Sequence, residues 1–164
     1  MSAGPYFGKY RGTVRNNVDP LMTGRILCEV PDIGGNLLSS WALPCLPGAG
    51  PNMGLFTVPP IGAGVWIEFE RGDPDYPIWT GGWYSEADVP VLARMVPPGT
   101  NGFTIQTQAG TGIVISDTLG VLITLVNGTM IQMTPAGTLS ITGTAAVNVV
   151  APMVDVNAGA LQVT

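Results

Sequence analysis

The sequence contains no histidine and only two cysteines. The first absence removes the commonest general base and the commonest transition-metal ligand together. Cys28 and Cys45 lie in apolar strand-like segments and in no tight pattern, which reads as two buried free thiols rather than a disulfide. Charge is scarce as well, at 10% of residues against roughly 25% in an ordinary soluble protein. The net charge of −5 would repel a phosphate backbone, so no nucleic-acid partner is expected. The start, "MSAGPYFGKYRG", has no apolar h-region, so no secretory signal is visible and synthesis in the cytoplasm is expected. The uncharged stretch from Thr118 to Val154 is interrupted by Gly, Asn, Thr and Pro with a period of two, which excludes a transmembrane helix.

Hydrophobic residues are plentiful at 46%, and 23 glycines and 15 prolines fall between alternating apolar runs. That arrangement reads as turns in an all-β protein. All six basic residues and nine of the eleven acids lie in residues 1–94. The composition therefore changes near Met95, and "VPPGTNG" just after it has the character of a linker. Two domains are expected, residues 1–95 and 96–164.

Beyond Asn101 the apolar residues come as pairs two apart: Phe103/Ile105, Ile113/Ile115, Val121/Ile123, Ile131/Met133, Leu139/Ile141, Val147/Val149, Val154/Val156 and Leu161/Val163. Turn residues separate them, among them Gly110, Gly120, Asn127-Gly128, Gly137 and Gly143. This is a degenerate repeat of very short strands. Isolated short strands are marginal in water, and their uncharged edges invite aggregation. Two architectures would cover them: a β-meander closing on the first domain, or an intertwined β-helix in which several chains wind together around an apolar prism. The regular repeat and missing charge favour the second.

In the first domain, "YFGKYRGTVRNN" alternates Lys9, Arg11, Thr13 and Arg15 against Tyr10, Gly12 and Val14, as a strand would. "GRILCEVPD" is a second strand. "GVWIEFE" sets Val65, Ile67 and Phe69 against Trp66, Glu68 and Glu70, and "IWTGGWY" follows the turn "RGDPDYP". About five short strands with glycines at the bends suit a small OB-type barrel.

These segments resemble the N-terminal OB domain of phage baseplate assembly protein V and of the valine-glycine-repeat spike proteins of contractile secretion systems. The resemblance rests on Gly12, Val14, Asp19, Pro20, Gly24, Arg25, Val30, Pro31, Trp41, Pro59, Gly62 and Val65, and on the closing run Gly72, Asp73, Pro74, Asp75, Pro77 and Gly81. It implies an all-β homotrimer: an OB-fold barrel followed by an intertwined trimeric β-helix, the needle under a contractile tail. It implies no enzyme and no cofactor, a place in the baseplate of a virion or injection particle, and docking on a hub protein. On sheath contraction the needle would be driven through the target cell envelope. Ile105, Ile115, Ile123, Ile131, Ile141, Val149 and Val156 would then line the needle core, and Lys9, Arg11 and Arg15 are candidate hub contacts. Some relatives hold an apex metal ion with histidines, which this chain lacks. A bare blunt end or a separate PAAR-type tip protein is therefore expected at the apex.

Two other functions have residues in their favour. Glu68 and Glu70, with Asp73 and Asp75, could supply a carboxylate pair for glycoside hydrolysis, although acids two apart are ordinary on a solvated strand. Trp66, Trp79, Trp83 and Tyr84 could bind sugar, although aromatics at such positions usually belong to a barrel core or a subunit contact. A monomeric OB-type module binding protein or carbohydrate is the alternative to the spike.

Overall fold

The computed structural model describes residues 5–150. Within them the chain is almost entirely β, with one helical turn, α1 (Pro31–Gly34), and two short 3-10 turns, Glu70–Gly72 and Ala93–Met95. No helix among the described residues is long and apolar enough to cross a membrane. Two compact units divide the chain, residues 1–89 and 90–164. The break falls a few residues before the change in composition at Met95, because Leu92 and Val96 pack with the second unit's core.

The first unit is built from β1 (Tyr10–Asn16), β2 (Leu27–Glu29), β3 (Leu43–Pro44), β6 (Gly64–Phe69) and β7 (Pro77–Trp83), in the sheet order β2-β1-β6-β7-β3. The small hairpin β4 (Ala49–Gly50) and β5 (Met53–Gly54) stands outside that sheet. The sheet's two edges meet just before β2 and β3. There Ala42 N–H donates to the Ile26 carbonyl at 2.8 Å, and Ile26 N–H donates to the Ala42 carbonyl at 3.2 Å. This pair joins the two edges and closes the sheet into a barrel. Strand alternation follows the sequence: Gly12 and Val14 point inward from β1, and Val65, Ile67 and Phe69 from β6. With Ile26, Cys28, Val30, Ala42 and Trp79 they form one core.

Gly12 is small for a reason. A Cβ there would come within 2.9 Å of Ile67 Cγ1, inside a core already filled. The strand β7 carries a bulge, since Trp66 faces Gly81 but Ile67 faces Trp79, leaving Thr80 as the extra residue. Gly81 takes the bend at a φ of 147°.

The two cysteines differ. Cys28 is fully buried, and burial pushes its thiol up to about 11, so it is an inert core residue. Cys45 corrects the expectation of two buried thiols: it is free but exposed, beside β3 at the barrel surface.

The second unit is a five-stranded antiparallel meander, β8 (Gly102–Gln106), β9 (Gly112–Ser116), β10 (Gly120–Thr124), β11 (Met130–Met133) and β12 (Leu139–Thr142). Each strand pairs with its sequence neighbours inside the chain. Of the two architectures open to the repeat, residues 102–142 of a single chain form the meander. The turns explain why. In 107–111, 125–129 and 134–138 the first residue's N–H donates to the carbonyl four residues on, and the glycine N–H donates back to the first residue's carbonyl. These are three-residue hairpin loops whose last member must be left-handed, and Gly110, Gly128 and Gly137 have φ values of 102°, 87° and 84°.

Candidate functional site

Side chains two apart on a strand point the same way, so each apolar pair of the tail lands on one face of the meander. Register then aligns the pairs into two rows crossing all five strands. One row is Ile105, Ile113, Ile123, Ile131 and Ile141, each directly opposite the next. The other is Phe103, Ile115, Val121, Met133 and Leu139. Nothing in the chain's described residues covers this face: even Ile113 on an inner strand is 36% exposed, and Ile141 on the edge is 57% exposed.

The opposite face is arranged in reverse. It carries Thr104, Val114, Leu122, Gln132 and Ser140, and only its apolar centre is covered, by Leu92, Val96, Leu119 and Met130 around the buried Val114 and Leu122. Leu92 is held there by its N–H, which donates to Gln106 Oε1 at 2.8 Å. An antiparallel sheet ordinarily buries its apolar face and wets the polar one. Here the described residues cover a mixed face and leave the wholly apolar one open, a contiguous patch of the kind that marks an interaction surface.

The structure brings together five of the seven expected core residues, Ile105, Ile115, Ile123, Ile131 and Ile141, on that one face. Val149 lies past β12, outside any strand and 69% exposed. Val156 lies outside the described residues, as do the last two apolar pairs. Phe103, Ile113, Val121, Met133 and Leu139 belong to the face equally, and the two-residue spacing that marked each pair already implied it.

The basic face of β1 is largely neutralised by its own neighbours. Lys9 Nζ lies 2.8 Å from Glu68 Oε1 and donates to Thr80 Oγ1 at 2.9 Å. Arg15 Nη2 lies 2.7 Å from Glu29 Oε2. Arg11 instead lies over two indoles, with its guanidinium carbon 5.7 Å from the Trp66 ring centre and 5.3 Å from that of Trp83. The aromatic residues thus divide: Trp79 is core, Trp66 and Trp83 flank Arg11, and Tyr84 is exposed.

Family-motif residues are explained by two tight turns. In the first, the buried Asp19 carboxylate accepts from Leu21, Thr23 and Arg25 N–H, from the Thr23 hydroxyl, and from Arg25 Nε and Nη2. Arg25 in turn lies 5.2 Å over the Trp41 ring. Gly24, left-handed at φ 85°, offers its carbonyl to Trp79 Nε1 at 3.0 Å, tying the loop to the barrel core. In the second, Asp73 Oδ1 accepts from Asp75 N–H, and Pro77 is fully buried. Gly72 sits at φ 78°, where a Cβ would press to 2.8 Å from Pro5 Cβ, and Pro74 and Asp75 stay exposed in the turn.

The Arg25 guanidinium beside Asp19 holds its carboxyl far below the usual carboxylate range. A depressed folded-state pKa contributes stability that is complete above the unfolded value and drains away as pH falls toward the folded one. The melting temperature of Asp19→Asn should therefore lie furthest below wild type near neutral pH. The gap should narrow progressively below about pH 4. A gap that is constant from pH 7 to pH 2.5 would show that the carboxylate's charge contributes nothing.

Glu68 is occupied by Lys9, and Glu70 ends β6 in an exposed turn. No group of three or more His, Cys, Asp or Glu residues among the described residues could hold a metal ion.

Comparison with protein-family models finds two matches. Residues 10–84 match the type VI secretion system and phage-baseplate injector OB domain. Residues 102–162 match the phage baseplate V C-terminal trimerisation domain, which supports a homotrimer. No curated protein matches the chain. A closed barrel built on the motif residues, followed by a sheet with one uncovered apolar face, and both matched in order along the chain, make this protein a structural component of the baseplate and a member of the phage baseplate V family.

Proposed function

We propose that the chain is the central spike of a contractile phage tail or phage-like injection device, docked by its OB barrel on the baseplate hub and driven through the target envelope when the sheath contracts. The observation that carries this reading is the two-row apolar face. Three such faces turned toward a common axis would make a prism with a dry core, each chain supplying one wall. Strands stacked about 4.8 Å apart run across such an axis, so hydrogen bonds between them lie along the direction of load. These walls would make the intertwined needle of residues 96–164, with Val149 also in its core. A separate PAAR-type tip protein would close the apex. Chemistry on the cell wall would belong to other components of the particle.

The test is genetic and structural. Particles from producing cells that lack this chain should have no central spike density beneath the tube, and should fail to permeabilise target cells; supplying the chain should restore both. Complete tails that puncture targets at undiminished efficiency without it would overturn the reading.

A further inference from the structure

The outer face of β1, β6 and β7 presents three cations, and the structure uses them differently. Lys9 and Arg15 are paired with Glu68 and Glu29, so each belongs to a pair that is neutral as a whole. Arg11 lies between them in sequence and on the same face. Among the described residues no carboxylate pairs with it, and its guanidinium N–H groups make no hydrogen bond. What holds it is a pair of indoles, Trp66 on the adjacent β6 and Trp83 on β7 beyond it. Trp83 is itself fixed, because its Nε1 donates to the Val65 carbonyl at 3.2 Å. Its ring lies on Gly64, where a Cβ would come within 2.5 Å. A side chain larger than hydrogen at position 64 would displace the ring.

From this arrangement we infer that the Trp66–Arg11–Trp83 ladder is a docking site for a carboxylate on an acidic segment of a partner protein. The inference rests on the docking reading above and gives that contact its chemistry. A guanidinium stacked on aromatic rings keeps its five in-plane donors free, and two of them match the two oxygens of a carboxylate. An exposed ion pair contributes little when two flexible side chains must be ordered to form it. Here the indoles have already ordered the arginine, which removes much of that cost. Trp and Arg are also the residue types that most often dominate protein interfaces. With the lysine and arginine on either side already paired, Arg11 is the cation that this face, among the described residues, leaves for a partner, so the ladder selects one carboxylate at one position.

The test uses the full-length protein and a blocked peptide of alternating glutamate and glycine as the probe, with the glutamine analogue as control. Binding is read by tryptophan fluorescence at low salt. Saturable binding of the glutamate peptide alone is expected, weakened by about tenfold or more in Arg11→Gln. Arg11→Lys should not restore it, because an ammonium does not make the two-pronged contact. No binding by wild type, or equal binding by Arg11→Gln, would overturn the inference. Native mass is measured on the same samples: if Arg11→Gln lowers it, Arg11 joins copies of this chain and the partner assignment is wrong. A monomeric wild type that still binds through Arg11 would remove the spike and leave the carboxylate site standing.

Discussion

Replacing Ile123 with aspartate is expected to turn the trimer into a monomer without unfolding the sheet. Ile123 occupies the central strand, directly between Ile113 and Ile131 in the isoleucine row. In the single chain it is 39% exposed, so an aspartate there would be solvated and would cost the meander no more than about 1 kcal/mol in strand preference. In a prism of three sheets the same substitution places three carboxylates around one axis. Each would carry a desolvation cost of several kcal/mol with no counter-ion in reach. The expected result is a native mass near that of one chain with an unchanged far-ultraviolet spectrum. Ser140→Asp, on the other face of β12, should leave the mass as it was. Because burial favours the neutral carboxyl, lowering the pH to about 4 should recover some trimer in Ile123→Asp. An Ile123→Asp chain that remains trimeric with unchanged melting would remove this face from the assembly.

The second large effect is in the barrel. Trp79 is 5% exposed and connects three parts of the first unit: it faces Ile67 beside the bulge, accepts Cys45 N–H on its carbonyl, and donates from its indole to the Gly24 carbonyl. Trp79→Ala should cost about 3–5 kcal/mol, a large part of a typical domain's stability. Trp79→Phe keeps most of the packing but leaves the Gly24 carbonyl without its donor, and should cost about 1–3 kcal/mol. Denaturant titration of the full chain is the measurement. The barrel's transition should move to lower denaturant in this order. A shift below about 1 kcal/mol for Trp79→Ala would mean that Gly24 and its loop are held from elsewhere.

Much of this is legible in the sequence. The alternation of Gly12 and Val14 against Lys9, Arg11 and Arg15 gave both faces of β1 correctly, and "GVWIEFE" did the same for β6. Pairs two apart in the tail announced an apolar face because strand geometry leaves no other place for them. Closure of the barrel through Ile26 and Ala42 was not legible, since neither residue marks its partner and the bond is long-range. The same holds for Arg11: its place between Trp66 and Trp83 depends on cross-strand register and on the bulge at Thr80. Nor did the basic residues of β1 reveal that Glu68 and Glu29 neutralise two of them. The tail posed a different problem. Its three-residue loops ending in Gly110, Gly128 and Gly137 encode hairpins within one chain, while the apolar rows encode a need for cover. Intrachain pairing and the need for cover are thus separate instructions in the same repeat, and one does not exclude the other.

The measurement that bears most directly on the account is the native mass of the full-length protein in solution, by light scattering over a range of concentrations. A baseplate spike whose sheets complete one another's apolar face should give about three times the 17.0 kDa chain mass, steady on dilution. A monodisperse species of one chain mass would contradict it, because ten apolar side chains in two rows would then stand in water with no copy to cover them.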